Sequence, residues 1–388
     1  MRSDRLLRAG VALWLLALTV VGILVCLDPV RRSVTPVFHL AAERWWARRP
    51  LYSDPRGFHY LPQFALLFAP FHALPLPLGD LLWRALSVAA VLAGCRSLAR
   101  RAMEDDADRA TRVLGLALVL SIWPCLGAVR NGQTNLAFGG LLVLAAGLLA
   151  AEDWTAAAAV LVLLVAVKPL GLVVVLLAPW GYPRMWARLA VGLALLAAIP
   201  FVFAPPGYVV AQYRDAAVHI ASWSATNEQR FADLASLLRR IGVPPAPSAA
   251  TAARAAFGVA TLALWIVAAR RRPEPKRALT LALLSAAYLL LFNPMTEKNT
   301  YAIAAPAMGV AAGWTFAAGT EGGKRWFGWL LAGTLLTIGV LPELVHRIDP
   351  GFGLWWDPLA MTAVAGAMVV RILRRRDSSP AAPLTAAE

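Results

Sequence analysis

The chain has 388 residues, of which 59% are hydrophobic and only 15% are charged, and its mean hydropathy is +0.62. A water-soluble globule of that composition would expose large apolar patches, which makes a membrane-embedded chain the natural reading. The formal charge of +15 would suit nucleic acid, but its placement excludes that partner. Arg100/Arg101, Arg109/Arg112, Arg270/Arg271/Arg272, Lys276/Arg277, Lys324/Arg325 and Arg374/Arg375/Arg376 close apolar runs, where positive charge fixes cytoplasmic loops.

Apolar runs of about 20 residues read as helices, and Arg2, Arg5 and Arg8 put the N-terminus inside. A first helix over about 9–27 is long for a signal peptide and lacks a small-residue cleavage site, so it reads as retained. An outer loop over 29–61 with an interfacial helix follows. Residues 62–78 (PQFALLFAPFHALPLPL) are apolar but short and proline-broken, which suggests a re-entrant or interfacial piece packed on protein or a wet cavity. Helices at about 80–99, 113–128 and 134–151 come next. The stretch 155–180 is too long for one crossing and is interrupted at Lys168-Pro169, predicting two short passes that meet at Lys168 on the outer side. A helix at 189–204 leads to an outer loop, 205–250, in which Asp233, Leu234, Leu237 and Leu238 fit a short amphipathic helix. Helices at 252–269, 278–292, 300–318, 327–342 and 354–372 complete the set. The expectation is all-α: a polytopic transmembrane bundle of about 11–12 helices forming one domain over 1–372, with 373–388 a disordered cytoplasmic tail.

Uncommon polar groups gather in the connections that this topology leaves outside. In ERWWARRPLYSDPRGFHY, the aromatic residues and arginines suit an interfacial belt. The same segment sets Glu43, Asp54, His39, His59 and Tyr60 over the proline-broken piece. RNGQTN needs only Asn131-Gly132 to turn, yet it adds Arg130, Gln133 and Asn135 at membrane depth, where polar groups are costly and face an interior or a cavity. Lys168 is either a snorkelling interface group or the counter-ion of a buried anion. In NPMTEKNTY, Asn-Pro stops a helix and Thr296 could cap the next one, but Glu297, Lys298, Asn299 and Tyr301 exceed the needs of a turn. Cys26, Cys95 and Cys125 are isolated and lack metal-ligand spacing, and nucleotide-loop, zinc-protease and dinucleotide motifs are missing. No cofactor or metal is expected, and an enzyme here would take its substrate from the membrane.

The order "PLY…FHYLPQFALLFAPFHALP", "RNGQTN", "VKPL", "NPMTEKNTY" resembles glycosyltransferase family 87, multispanning GT-C-type enzymes related to polyprenyl-phosphate-mannose-dependent mannosyltransferases. The resemblance covers about residues 10 to 320. It implies a membrane hexosyltransferase that moves a sugar, mannose first among candidates, from a polyprenyl-phosphate donor to a lipid or glycan acceptor, with inversion, on the extracytoplasmic side of a bacterial inner membrane. It also implies a catalytic aspartate roughly fifteen residues before Leu51-Tyr52, where this chain has Val34, Thr35, Pro36 and Val37.

Such chemistry needs one carboxylate to accept the acceptor's proton and cations to stabilise the departing phosphate. Arg130, Lys168 and Lys298 could supply the charge, with Asn131, Gln133, Asn135, Asn299, Tyr60 and His59 lining the substrate site. Asp54, stiffened by Pro55, is the first candidate base and Glu43 the second; Glu297 is the third, because it could instead pair with Lys298. Two other classes remain: a transporter or flippase, suggested by the broken hairpin at Lys168, and an inactive lipid-binding scaffold, suggested by the missing aspartate.

Overall fold

The computed structural model describes residues 3–54, 57–224, 231–318 and 325–374. The expected tail therefore lies outside the described residues beyond Arg374, as do residues 319–324 of the connection between the helices expected over 300–318 and 327–342. Among the described residues the chain is a polytopic bundle of helices without strands. These are α1 (Ser3–Leu27), α2 (Thr35–Trp46), α3 (Pro62–His72), α4 (Leu76–Ala102), α5 (Ala107–Asn131), α6 (Thr134–Ala150), α7 (Trp154–Val167) and α8 (Gly171–Gly181). Then follow α9 (Met185–Phe203), α10 (Pro206–Ser224), α11 (Leu234–Arg240), α12 (Pro247–Arg271), α13 (Lys276–Phe292), a 3₁₀ turn over Lys298–Ile303, α14 (Ala305–Ala317), α15 (Trp326–Val345) and α16 (Phe352–Leu373).

Seven of these, α1, α4, α5, α9, α12, α15 and α16, are long and apolar enough to cross a membrane. The others expected to cross are shorter. At about 1.5 Å per residue, the 14-residue α7 and the 11-residue α8 each fall short of a hydrocarbon core of about 30 Å. The two form a hairpin whose tip is Lys168-Pro169, as the sequence suggests. The helix expected over 300–318 begins instead as the 3₁₀ turn, capped reciprocally by Glu297 and Thr300. Thr296 does not cap it; its hydroxyl donates to the Asn293 carbonyl at 3.0 Å.

Helices pack closely where side chains are small. A Cβ on Gly94 of α4 would meet the Gly140 carbonyl of α6, and one on Gly140 would meet the backbone of Ala90 and Val91. With no hydrophobic drive between helices in lipid, such backbone proximity supplies van der Waals contact in its place. The proline-broken segment folds as α3, held by aromatic packing. Phe64 and Phe68 are fully buried and meet Phe38 of α2 edge-on at 4.9 and 5.3 Å and Trp83 of α4 at 5.9 and 5.6 Å.

The outer loop expected over 205–250 contains a 19-residue helix, α10. Its buried positions, Val209, Gln212, Ala216 and His219, keep a helical spacing, which two polar residues disguise in the sequence. Gln212 Oε1 accepts the Leu51 N–H at 2.8 Å and the Tyr208 hydroxyl donates to the Arg49 carbonyl at 2.9 Å, so α10 is bound to the segment after α2. The amphipathic α11 has Asp233 as its N-cap, accepting the Ser236 N–H at 2.8 Å.

Turns gather at two opposite ends of the bundle. At one, Ser3 donates to Asp108, Tyr182 to Glu274, and Arg271 and Arg272 to the carbonyls of Ile372 and Arg371. This end carries the arginine runs. The other end holds the α5–α6, α7–α8 and α13–α14 connections.

Candidate active site

At the arginine-poor end α5 closes on Gly132, which has a left-handed φ of 64°. The site also requires glycine sterically, since a Cβ there would meet Thr35 Cγ2 at 2.7 Å and Arg84 Cζ at 2.9 Å. This turn delivers Gln133 and Asn135 into a polar cluster. The Lys168 ammonium donates to Asn135 Oδ1 at 2.6 Å. Asn135 Nδ2 donates to Gln133 Oε1 at 2.8 Å and to the Asn299 carbonyl at 3.3 Å. Gln133 Nε2 donates in turn to Glu297 Oε2 at 3.2 Å.

One cation and one carboxylate are thus joined through two amides, drawn from the α5–α6, α7–α8 and α13–α14 connections, and Glu297 also acts electrostatically on Lys168. Thr134 donates to the Tyr60 hydroxyl at 3.4 Å, which adds the segment before α3 to the cluster. Burial pushes that hydroxyl up to about 12, against the Thr134 bond, with Glu297 adding to the rise.

Three candidates lie apart from this line of contacts. Glu43 is exposed on α2. Asp54 is exposed and acts electrostatically on His219, whose burial holds it below the usual histidine range. His59 stacks on His219 with ring centroids 4.8 Å apart, and their nitrogens lie 2.8 Å from each other. Lys298 pairs with Glu343 of α15 and not with Glu297, which removes the pairing considered from the sequence. Asn131 contributes its carbonyl, accepting the Val34 N–H at 2.9 Å, while the Asn299 side chain packs on Gly127. Arg130 Nη1 is buried without a hydrogen-bond partner among the described residues.

Behind the α5–α6 turn lies a network that sequence reasoning missed. Asp80 of α4 is fully buried; it accepts from Thr35 at 2.6 Å, lies 3.0 Å from His39 Nε2 and 3.5 Å from Arg84. Arg84 donates onward to the carbonyls of Val129 and Arg130 and to Ser33, and the Trp83 indole to the Gly132 carbonyl at 2.8 Å. The signal was an Asp and an Arg at i, i+4 inside an apolar run, a spacing that reads equally well as a surface pair. Removing Arg84 leaves Asp80 fully buried with only Thr35 and His39 beside its charge. Arg84→Met is therefore expected to destabilise the fold by about 3–5 kcal/mol, read as a lowered melting temperature in detergent; an unchanged melting temperature would show the pair to be dispensable.

The stretch from Phe58 to Pro294 matches the family model Glycosyltransferase family 87. The chain belongs to this family. The match contains the α5–α6 turn and the Lys168 hairpin but ends just before Glu297, so the family's own pattern spans most of the polar cluster. A comparison with curated proteins finds no match. Family membership with seven membrane-length apolar helices makes the chain an integral membrane glycosyltransferase that acts on a sugar donor and an acceptor.

Proposed function

We propose that this glycosyltransferase moves a hexose, mannose in the first instance, from a polyprenyl-phosphate donor to a lipid or glycan acceptor on the extracytoplasmic face of a bacterial plasma membrane, inverting the anomeric centre. The observation that carries this reading is an apolar groove of about 1380 Å³ between α3, α7 and α9. It runs the length of α7, from Thr155 to Ala166, two residues short of Lys168, and its polar contacts are few. Such a groove suits an isoprenoid tail, with the phosphate at Lys168 and Arg130. An ammonium that binds Asn135 is poised to exchange one hydrogen bond for an anion.

Glu297 is the favoured base, because it belongs to the same contact line as Lys168, whereas Asp54 and Glu43 are exposed outside that line. In the reaction the acceptor hydroxyl attacks the anomeric carbon, its proton passes to the carboxylate, and the lipid phosphate leaves with the bonding pair. Gln133 and Asn135 orient the two charged groups, so that cation and base keep their separation. Purified protein in lipid vesicles is expected to transfer mannose from polyprenyl-phosphate-mannose. Inactivity with every lipid-phosphate sugar and acceptor class would replace the enzyme by a lipid-binding scaffold.

The sidedness has its own test. In a variant lacking Cys26, Cys95 and Cys125, cysteines at the exposed positions Val243 and Arg347 are expected to react with an impermeant thiol reagent in intact cells, and those at Asp105 and Glu152 only after lysis. Labelling of position 152 in intact cells would invert the topology.

A further inference from the structure

The opposite end of the bundle holds a second cavity, of about 750 Å³, that the transfer reaction does not use. It is built where α12, α13, α14, α15 and α16 end or begin. Arg271, Arg272, Lys276, Arg371 and Arg374 line it, and no carboxylate among the described residues does. Nearby Glu274 is engaged elsewhere, accepting from Tyr182 at 2.8 Å and lying 3.5 Å from Arg277.

Arg271, Arg272 and Arg371 are fixed in place by contacts to neutral groups, none of them a carboxylate among the described residues. Arg272 donates to the Thr280 hydroxyl at 2.7 Å and to the Arg371 carbonyl at 3.2 Å, and Arg271 donates to the Ile372 carbonyl. Arg371 lies over the Phe327 ring at 4.4 Å, and Lys276 over Trp314 at 5.8 Å. Burial, and then the neighbouring Arg371, pull the Arg272 guanidinium down to about 10, since both disfavour its charged form. The deeper wall is apolar, with Leu283, Met368 and Phe327.

We propose that this cavity binds the headgroup of an anionic membrane phospholipid, its phosphodiester held between Arg272 and Arg371 and its acyl chains running down the apolar wall. Charge selects the ligand class: a zwitterionic headgroup would bring an ammonium into a cluster of cations, whereas a net anion relieves it. The apolar wall favours a lipid over free phosphate. The site lies one length of α13 from the glycosyl-transfer cluster, roughly 25 Å for 17 residues, so the two can be tested separately.

The test uses the full chain. Detergent-purified protein is titrated with phosphatidylglycerol or phosphatidylcholine and bound lipid counted by native mass spectrometry; a preference of about tenfold or more for the anionic lipid is expected. Arg272→Gln/Arg371→Gln should erase that preference, while Arg5→Gln/Arg112→Gln, exposed charges outside the cavity, should keep it. Photo-crosslinking of the unmutated protein with a phosphatidylglycerol probe, which needs no variant to fold, should label peptides covering 271–283 and 364–374. Equal retention of both lipids, crosslinks confined to other segments, or displacement of the lipid by millimolar inorganic phosphate would each overturn the assignment.

Discussion

Lys168→Met is expected to lower sugar transfer by about 10²- to 10³-fold, the range for removing one preorganised charge from a developing anion. Methionine keeps much of the side-chain length and its apolar stem, so packing at the tip of the α7–α8 hairpin changes little. A snorkelling lysine would behave differently, because its loss removes only a weak anchor. Here the ammonium binds Asn135 at 2.6 Å, and its removal leaves that amide oxygen without its donor while the fold is otherwise kept. Transfer measured at limiting and at saturating donor separates binding from turnover. A variant that turns over normally at limiting donor would take the phosphate away from Lys168. Arg130→Gln is expected to act in the same direction and less strongly, since the α5 C-terminus that holds Arg130 stays in place.

Much of this site was legible because polar residues inside apolar runs are expensive and rarely accidental. Arg130, Gln133, Asn135 and Lys168 stood out on that ground, and Gln133, Asn135 and Lys168 form consecutive links of one hydrogen-bonded line. The helices were equally plain, since long apolar runs closed by arginines leave few alternatives. What stayed hidden depends on separations that no local pattern encodes. Lys298 pairs with Glu343, 45 residues away, and adjacency in the sequence suggested Glu297 in its place. The absent aspartate is instructive for the same reason. Thr35 stands in the stretch where the family resemblance calls for a carboxylate, and its hydroxyl donates to Asp80, so a carboxylate does reach this spot, delivered from α4. It is fully buried behind Thr35 and His39 and is linked through Arg84 to the α5–α6 turn. Helix α10 escaped notice because Gln212 and His219 occupy its inward face, where a hydrophobic stripe would ordinarily mark a helix.

Glu297→Gln is expected to cost about 10²- to 10⁴-fold in turnover at saturating donor, the usual cost of losing a general base. The amide is nearly isosteric and can rotate to keep a bond to Gln133, so Lys168 and Asn135 remain in register and donor affinity should hold. That split, turnover lost with binding kept, separates a base from a residue that merely props the cluster, whose loss would weaken both. Asp54→Asn and Glu43→Gln supply the contrast. Both carboxylates are exposed, and neither joins the hydrogen bonds that connect Lys168 to Glu297. Each variant should keep more than about a tenth of the rate, because an exposed carboxylate outside that line of contacts is not held where it would take the proton of the attacking hydroxyl. A collapse in Asp54→Asn with Glu297→Gln near normal would move the base to the α2–α3 segment and make Glu297 the orienting partner of Gln133. If all three variants retain more than about a tenth of the parent rate, the proton leaves by another route, and the Lys168–Glu297 line serves to hold the donor alone.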